Sequence, residues 1–214
     1  MFEKYLSIIT NFGCHYSCPY CIVKNNDIDV PETTVEGLSN LKQMIIGHGC
    51  NIVSISGGSD PLHNYEEHKD WYEELSLILE SMGIPMEMHT SYVKNDFPTN
   101  ECKRVVYHLH DSRQLRQVRR KGNEIVRVVF VITENMTESD LRIISDYVKE
   151  DGDIDELSFR QQVGEDYKTI FHLHNVLLAG HKRDWYYIQQ QDYNLYYAEN
   201  KVYTKYSDFR KEDN

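Results

Sequence analysis

Short apolar runs alternate with amphipathic stretches along most of this chain. That alternation is the pattern of βαβ units and a parallel sheet. Strands are predicted over residues 5–11, 51–56, 85–90, 104–110, 124–133 and 156–163. Helices are predicted over 33–47, 65–82, 112–121, 137–149 and 167–179. Pro31 introduces the first helix, Gly83 stops the second, and Asp111 and Gly122 bracket the third. Thr137 and Asp140 form a capping box for the fourth. Six strand–helix units fit within residues 1–180. A closed eight-unit barrel typically takes about 250 residues. The expected fold class is therefore α/β, a partial (β/α)6 TIM-like barrel with a lateral opening.

The pattern changes after Lys182, where tyrosines crowd residues 185–188, 193–197 and 202–206. Aromatic and β-branched residues favour strands, and Glu199-Asn200-Lys201 reads as a turn. Residues 181–214 are expected to form an antiparallel hairpin or meander on the 1–180 core. It would close the open side of the barrel or make a homodimer contact. Edge packing is favoured there over base stacking. Residues 207–214 are polar and expected to fray.

Ligands in such folds bind at the carboxyl ends of the strands. Polar groups collect at these ends: Gly57-Gly58-Ser59-Asp60-Pro61, His89-Thr90-Ser91, His108 with His110 and Asp111, Thr133-Glu134-Asn135, and Arg160-Gln161-Gln162. Any strand end carries polar loop residues, which accounts for each cluster singly. It does not account for the double glycine one unit after a loop holding three cysteines.

Charge narrows the partners. The 214 residues include 34 acidic and 23 basic ones, a net charge of −11. An acidic chain repels phosphate backbones, which argues against bulk nucleic-acid binding. The basic stretch Arg113, Arg116, Arg119, Arg120 and Lys121 reads as a solvated face. The N-terminus lacks a signal-peptide pattern, and no apolar run is long enough to span a bilayer. Five cysteines make an odd count, so a reducing cytoplasm is expected. Cys50 and Cys102 stand alone and read as core thiols.

Cys14, Cys18 and Cys21 are spaced C-x3-C-x2-C. Thiolates are the usual ligands of iron–sulfur clusters. Three of them on a 4Fe–4S cube leave one iron open, and an open position is where a metal site does chemistry. A zinc knot adding His15 competes, but zinc sites usually pair two separated ligand halves and no second half is evident.

This spacing resembles the radical S-adenosylmethionine (radical SAM) family, and Tyr20 before the last cysteine matches its pattern. The resemblance covers roughly the first 165 residues and implies a compact single-cluster member. By it, the three thiolates hold three irons, and the amino and carboxylate groups of S-adenosylmethionine chelate the fourth. Gly57-Gly58 resembles the family's Gly-Gly-Glu-Pro motif, with an extra residue and Asp60 in place of glutamate. Which of Ser59 and Asp60 takes the family role stays open. The glycines would let the backbone approach the ligand's ammonium group. Ser91 falls where the family places a polar contact to S-adenosylmethionine. Arg160 resembles an arginine after strand six and would pair a carboxylate of that cofactor or of the substrate. His108 and His110 share a strand face and are candidates to line the substrate cavity. The implied chemistry is reductive cleavage to a 5′-deoxyadenosyl radical that abstracts hydrogen from a small molecule, with nucleotide-like compounds among the candidates. A flavodoxin or ferredoxin would supply the electron. A glycyl-radical-enzyme activating protein is the runner-up. A non-catalytic zinc- or iron–sulfur-binding module is the reading from another class.

Overall fold

The computed structural model describes residues 3–189 and 195–210. Six parallel strands run in sequence order: β1 (Tyr5–Thr10), β2 (Ile52–Gly57), β3 (Met86–Thr90), β4 (Arg104–Leu109), β5 (Ile125–Ile132) and β6 (Glu156–Val163). β1, β2, β4 and β5 are rich in valine and isoleucine, as strands buried on both faces are. Leu6, Val53, Ile55, Met88, Val105, Val126, Val128 and Phe159 are fully buried. α1 (Ile22–Asn25) follows the cysteine loop, and α2 (Leu41–His48), α3 (Lys69–Met82) and α4 (Glu138–Glu150) lie in the crossovers. Gly83 ends α3 at φ 62°, its N–H bonded to the carbonyls of Leu79 and Glu80. α4 opens on the expected box, with Thr137 N–H donating to Asp140 Oδ2 at 2.8 Å.

Three helices depart from expectation, each where a side chain or the core claims the backbone. Helix 33–47 starts only at Leu41, after a 3-10 turn at Glu36–Leu38. Thr34 N–H is taken by Glu199 Oε1 at 2.9 Å, and the Gly37 carbonyl by the Tyr197 hydroxyl at 2.7 Å. Helix 112–121 is a 3-10 turn, Ser112–Gln117, because Val118 turns into the core in extended conformation. Asp111 caps it as expected. Helix 167–179 becomes a strand pair and a shorter helix: β7 (Thr169–Ile170), antiparallel to β6, then α5 (His174–Gly180). The Gln161 amide holds both the N–H and the carbonyl of His172 there, at 3.1 and 3.0 Å.

The tyrosine-rich tail divides. β9 (Leu195–Ala198) and β10 (Lys201–Tyr203) form the expected hairpin, with Glu199 and Asn200 at positive φ in its turn. β9 then pairs parallel with β1. β8 (Tyr186–Ile188) instead pairs parallel with β6, at the other end of the six-strand series. Both flanks of the core sheet are thus covered, which shields unpaired strand edges. Tyr193 lies outside the described residues. Residues 207–210 are not frayed: Phe209 is buried, and its carbonyl accepts from Asp29 N–H at 2.7 Å. Tyr206 and Phe209 pack with Ile9, Ile28, Val30 and Tyr196 in a second apolar cluster. Residues 211–214 lie outside the described residues. Among the described residues, no helix is long and apolar enough to cross a membrane.

At the amino ends of the strands, charged groups from several strands meet. Arg104 and Glu87 are both buried and bond at 2.6 Å. The Tyr5 hydroxyl also reaches Glu87, at 3.2 Å. Glu156 lies 3.2 Å from Arg104 and 2.6 Å from Arg127. Burial pushes the Glu87 carboxyl upward, but bonds and charge from His89 and Arg104 outweigh it and hold it at about 2. A carboxylate depressed in this way stabilises the fold above its ordinary pKa, and that stabilisation fades as pH falls from about 4.5 towards 2. The depression corresponds to about 3 kcal/mol. Denaturant titrations between pH 6 and pH 2.5 should show this acid loss in the native protein. Glu87→Gln is expected to be less stable at pH 6 and to lose less on acidification. Parallel pH profiles for the two proteins would show that Glu87 is not the anion described.

Candidate functional site

A cavity of about 330 Å³ opens at the carboxyl ends of the strands. That volume lies at the lower end of the range for small-molecule sites, about 300–1,000 Å³. Cys14, Cys18 and Cys21 line it, with Tyr20. So do Gly57, Gly58, Ser59 and Asp60 from the next loop. Ser91, His108, His110 and Arg160 complete the wall from β3, β4 and β6. The structure thus brings the cysteines, the glycine loop, Ser91, both histidines and Arg160 to one cavity, whereas Asp111, Thr133, Glu134, Asn135 and Gln162 do not line it.

The cysteine loop leaves β1 without regular structure and tightens where Cys21 N–H meets the Cys18 carbonyl at 3.2 Å. Cys14 is exposed, and Cys18 and Cys21 are half-buried. Burial pushes the Cys18 thiol up to about 11, and the nearby Cys14 and Cys21 add to the rise. Burial raises the Cys14 thiol as well, and a metal that joins such thiols takes the thiolate form and releases their protons. This donor set fits an iron–sulfur cluster, whose corners take separate thiolates. Among the described residues, no three His, Cys, Asp or Glu side chains close on a single-ion position. His15, the fourth ligand of the zinc alternative, is engaged with His63 Nδ1 at 3.3 Å and stacks near Tyr92.

The glycine loop is tied to its neighbours. Ser59 Oγ donates to the Thr10 carbonyl at 2.8 Å and accepts from Phe12 N–H at 2.9 Å. Asp60 is buried, and its Oδ1 accepts from Leu62 N–H at 3.0 Å and from the Thr90 hydroxyl at 2.7 Å. Its Oδ2 accepts from Ser91 N–H at 2.7 Å, and its own N–H donates to the Gly13 carbonyl at 2.8 Å. Both side chains thus position loops. The two glycines have a cause within the protein itself. A Cβ on Gly57 would lie 1.8 Å from the Ser59 carbonyl oxygen, and one on Gly58 would lie 2.2 Å from Val30 Cγ2. The expected clearance for a ligand is first a clearance for the chain's own packing.

Just past β4, His110 Nδ1 meets the Tyr20 hydroxyl at 2.6 Å and lies 3.6 Å from Cys18 Sγ. Burial holds this ring below the ordinary imidazole value. Tyr20 therefore addresses a histidine beside the thiols. His108 Nε2 lies 3.1 Å from His89 Nδ1, and His89 Nε2 lies 2.8 Å from Glu87 Oε1. Arg160 sits in β6 opposite Val131 of β5 and Ile188 of β8. The cavity residues missed from sequence include Tyr16, Lys24, Tyr196 and Tyr206. Tyr206 donates to the Gly57 carbonyl at 2.9 Å. The faint signal for it is the apolar spacing of Tyr206 and Phe209 within a polar tail.

No family model matches the chain, and no curated protein matches it in sequence. Two crystal structures of Streptococcus suis SuiB share its fold. The one bound to S-adenosylmethionine aligns with a TM-score of 0.56 and 17% identity, over 87% of this chain and 47% of SuiB. The other aligns with a TM-score of 0.58 and 15% identity, over 89% of this chain and 50% of SuiB. The chain spans about half the length of these SuiB chains.

The close approach of Gly58 to Val30 yields a double-mutant test. Gly58→Ala should lower the thermal midpoint, because its methyl meets the Val30 side chain. Val30→Ala alone should cost stability by leaving a void. The double variant should be more stable than the two losses added, by about 1 kcal/mol or more. Strict additivity would show that Gly58 is not packed as described.

Proposed function

We propose that this protein is a radical SAM enzyme acting on a small organic molecule. The observation that carries the reading is the convergence of the Cys14, Cys18 and Cys21 thiols with the Gly57-Gly58 loop on one cavity. The α/β fold around that cavity is one that in SuiB accompanies bound S-adenosylmethionine, which supports the reading. Cys14, Cys18 and Cys21 would hold three irons of a 4Fe–4S cluster, leaving the fourth for S-adenosylmethionine. When bound, these two groups supply one-electron reductive cleavage and a 5′-deoxyadenosyl radical that takes hydrogen from the substrate. The protein binds, orients and excludes water. Asp60 and Ser59 fix the cysteine loop against β2 and β3. Tyr20 and His110 pack beside Cys18. Arg160 would pair a carboxylate of S-adenosylmethionine or of the substrate through its planar fork.

The sheet is read here as a partial (β/α)6 barrel. Tyr5 of β1 and Arg104 of β4 stand three strands apart, about 14 Å on a flat sheet. Their side-chain ends meet at 2.9 Å, a gap that two long side chains close by leaning together and that a curled sheet narrows. A low-potential donor of the flavodoxin or ferredoxin class would supply the electron, in a reducing cytoplasm.

Anaerobic reconstitution tests the reading. The protein should take up about four irons per chain. With dithionite and S-adenosylmethionine it should slowly release 5′-deoxyadenosine without added substrate. Cys18→Ala should lose both the iron and the release, while Cys50→Ala keeps both. Uptake of zinc without iron would favour a metal-stabilised binding module and overturn the assignment.

A further inference from the structure

One chain of polar groups lies beyond the cysteine and glycine loops. Arg104, Val106 and His108 fall on one face of β4, two residues apart, as Glu87 and His89 do on β3. Across these two strands a line of bonds runs from the charged groups at the amino ends towards the cavity. Arg104 Nη1 and the Tyr5 hydroxyl donate to Glu87 Oε2, at 2.6 and 3.2 Å. Glu87 Oε1 is left for His89 Nε2, at 2.8 Å. His89 Nδ1 meets His108 Nε2 at 3.1 Å. His108 lines the cavity.

Proton bookkeeping gives this line a direction. An ionised carboxylate only accepts, so His89 Nε2 carries the hydrogen of its bond to Glu87. In a neutral His89, Nδ1 is then a bare acceptor. His108 Nε2 must carry the hydrogen between the two rings, which leaves His108 Nδ1 with its lone pair. We propose that His108 is a substrate-binding residue whose Nδ1, set as an acceptor by the Glu87–His89 relay, takes the hydrogen bond of a substrate hydroxyl or amine. The proposal rests on the cavity being the reaction site. It narrows the substrate to molecules that carry an O–H or N–H group. A hydroxyl bonded in this way gains electron density at oxygen, which weakens the adjoining C–H bond against hydrogen abstraction.

The surroundings keep His108 neutral. Burial lowers its pKa well below the ordinary imidazole value, and the Arg160 charge lowers it further, against the opposing pull of Glu87. Nothing in this setting asks His108 to become a cation, so acceptance of a hydrogen bond is its available role.

Long-range ¹H–¹⁵N NMR on the full chain labelled at histidine reads the tautomer directly. The His108 signal is the one missing from His108→Gln. At pH 8, above the ordinary imidazole pKa of about 6.5, the ring should show protonated Nε2 and bare Nδ1. Diethyl pyrocarbonate, which attacks exposed unprotonated imidazole nitrogens, should label His108 in peptide mass spectra. Glu87→Gln should replace the single tautomer by a mixture. If that variant does not fold, His89→Gln carries the same readout. A protonated Nδ1 at pH 8 would overturn the proposal. So would an unlabelled His108 in a folded protein whose exposed histidines are labelled. Neither measurement needs iron or S-adenosylmethionine, so this outcome is separable from that of the cluster assignment.

Discussion

A carboxylate removed from water must be met by donors, or its burial costs several kcal/mol. Asp60 meets that demand with groups from separate strand ends. Thr90 and Ser91 close β3, Leu62 lies in its own loop, and its N–H reaches the Gly13 carbonyl in the cysteine loop. The cysteine loop has no regular structure between β1 and α1. Its position is therefore inherited from Asp60, with help from Ser59 on Thr10 and Phe12. Spacing alone puts three sulfurs in one loop. The Asp60 backbone N–H holds that loop at Gly13, while its buried carboxylate ties the same residue to the end of β3.

The strands were legible in the sequence because a strand covered on both faces is written as a run of β-branched residues. Helix ends were legible where a glycine or a capping box marks them, as at Gly83 and Thr137. The misses share a cause. Helix 33–47 lost its first turns to Glu199, more than 160 residues away, and helix 167–179 was broken by the Gln161 amide on His172. Local propensity carries no record of a distant side chain that competes for a backbone group. The site divides in the same way. The cysteines and double glycine announce themselves by spacing. The partners of Asp60, the Val30 methyl above Gly58 and the Tyr206 hydroxyl on Gly57 are tertiary facts.

The tail, residues 181–214, was expected to close the open side of the barrel or make a dimer contact, and it bears on the cavity itself. β9 pairs with β1, which leads into the cysteine loop, and β8 pairs with β6, which carries Arg160. Between them, Tyr206 reaches the glycine loop from the far end of the chain. Tail and core thus share one sheet, and loss of the tail would expose the edges of the two strands that lead to the thiols and the arginine.

The cavity joins two kinds of wall. Its rim is loop, held by single hydrogen bonds that a bound ligand can rearrange. Its strand-borne part is set into the sheet through Glu87, Arg104 and their partners, where breaking one ion pair leaves a buried charge and costs about 3–5 kcal/mol. Cys14, Cys18 and Cys21 lie on the loop-built rim. Groups that must hold one orientation belong on strands, where packing locks the rotamer. His108 and Arg160 are there. In a chain of net charge −11 these strand-borne nitrogens set the local field. Arg160 would offer its cation to an anionic group there, and the proposed acceptor on His108 its lone pair to a hydroxyl.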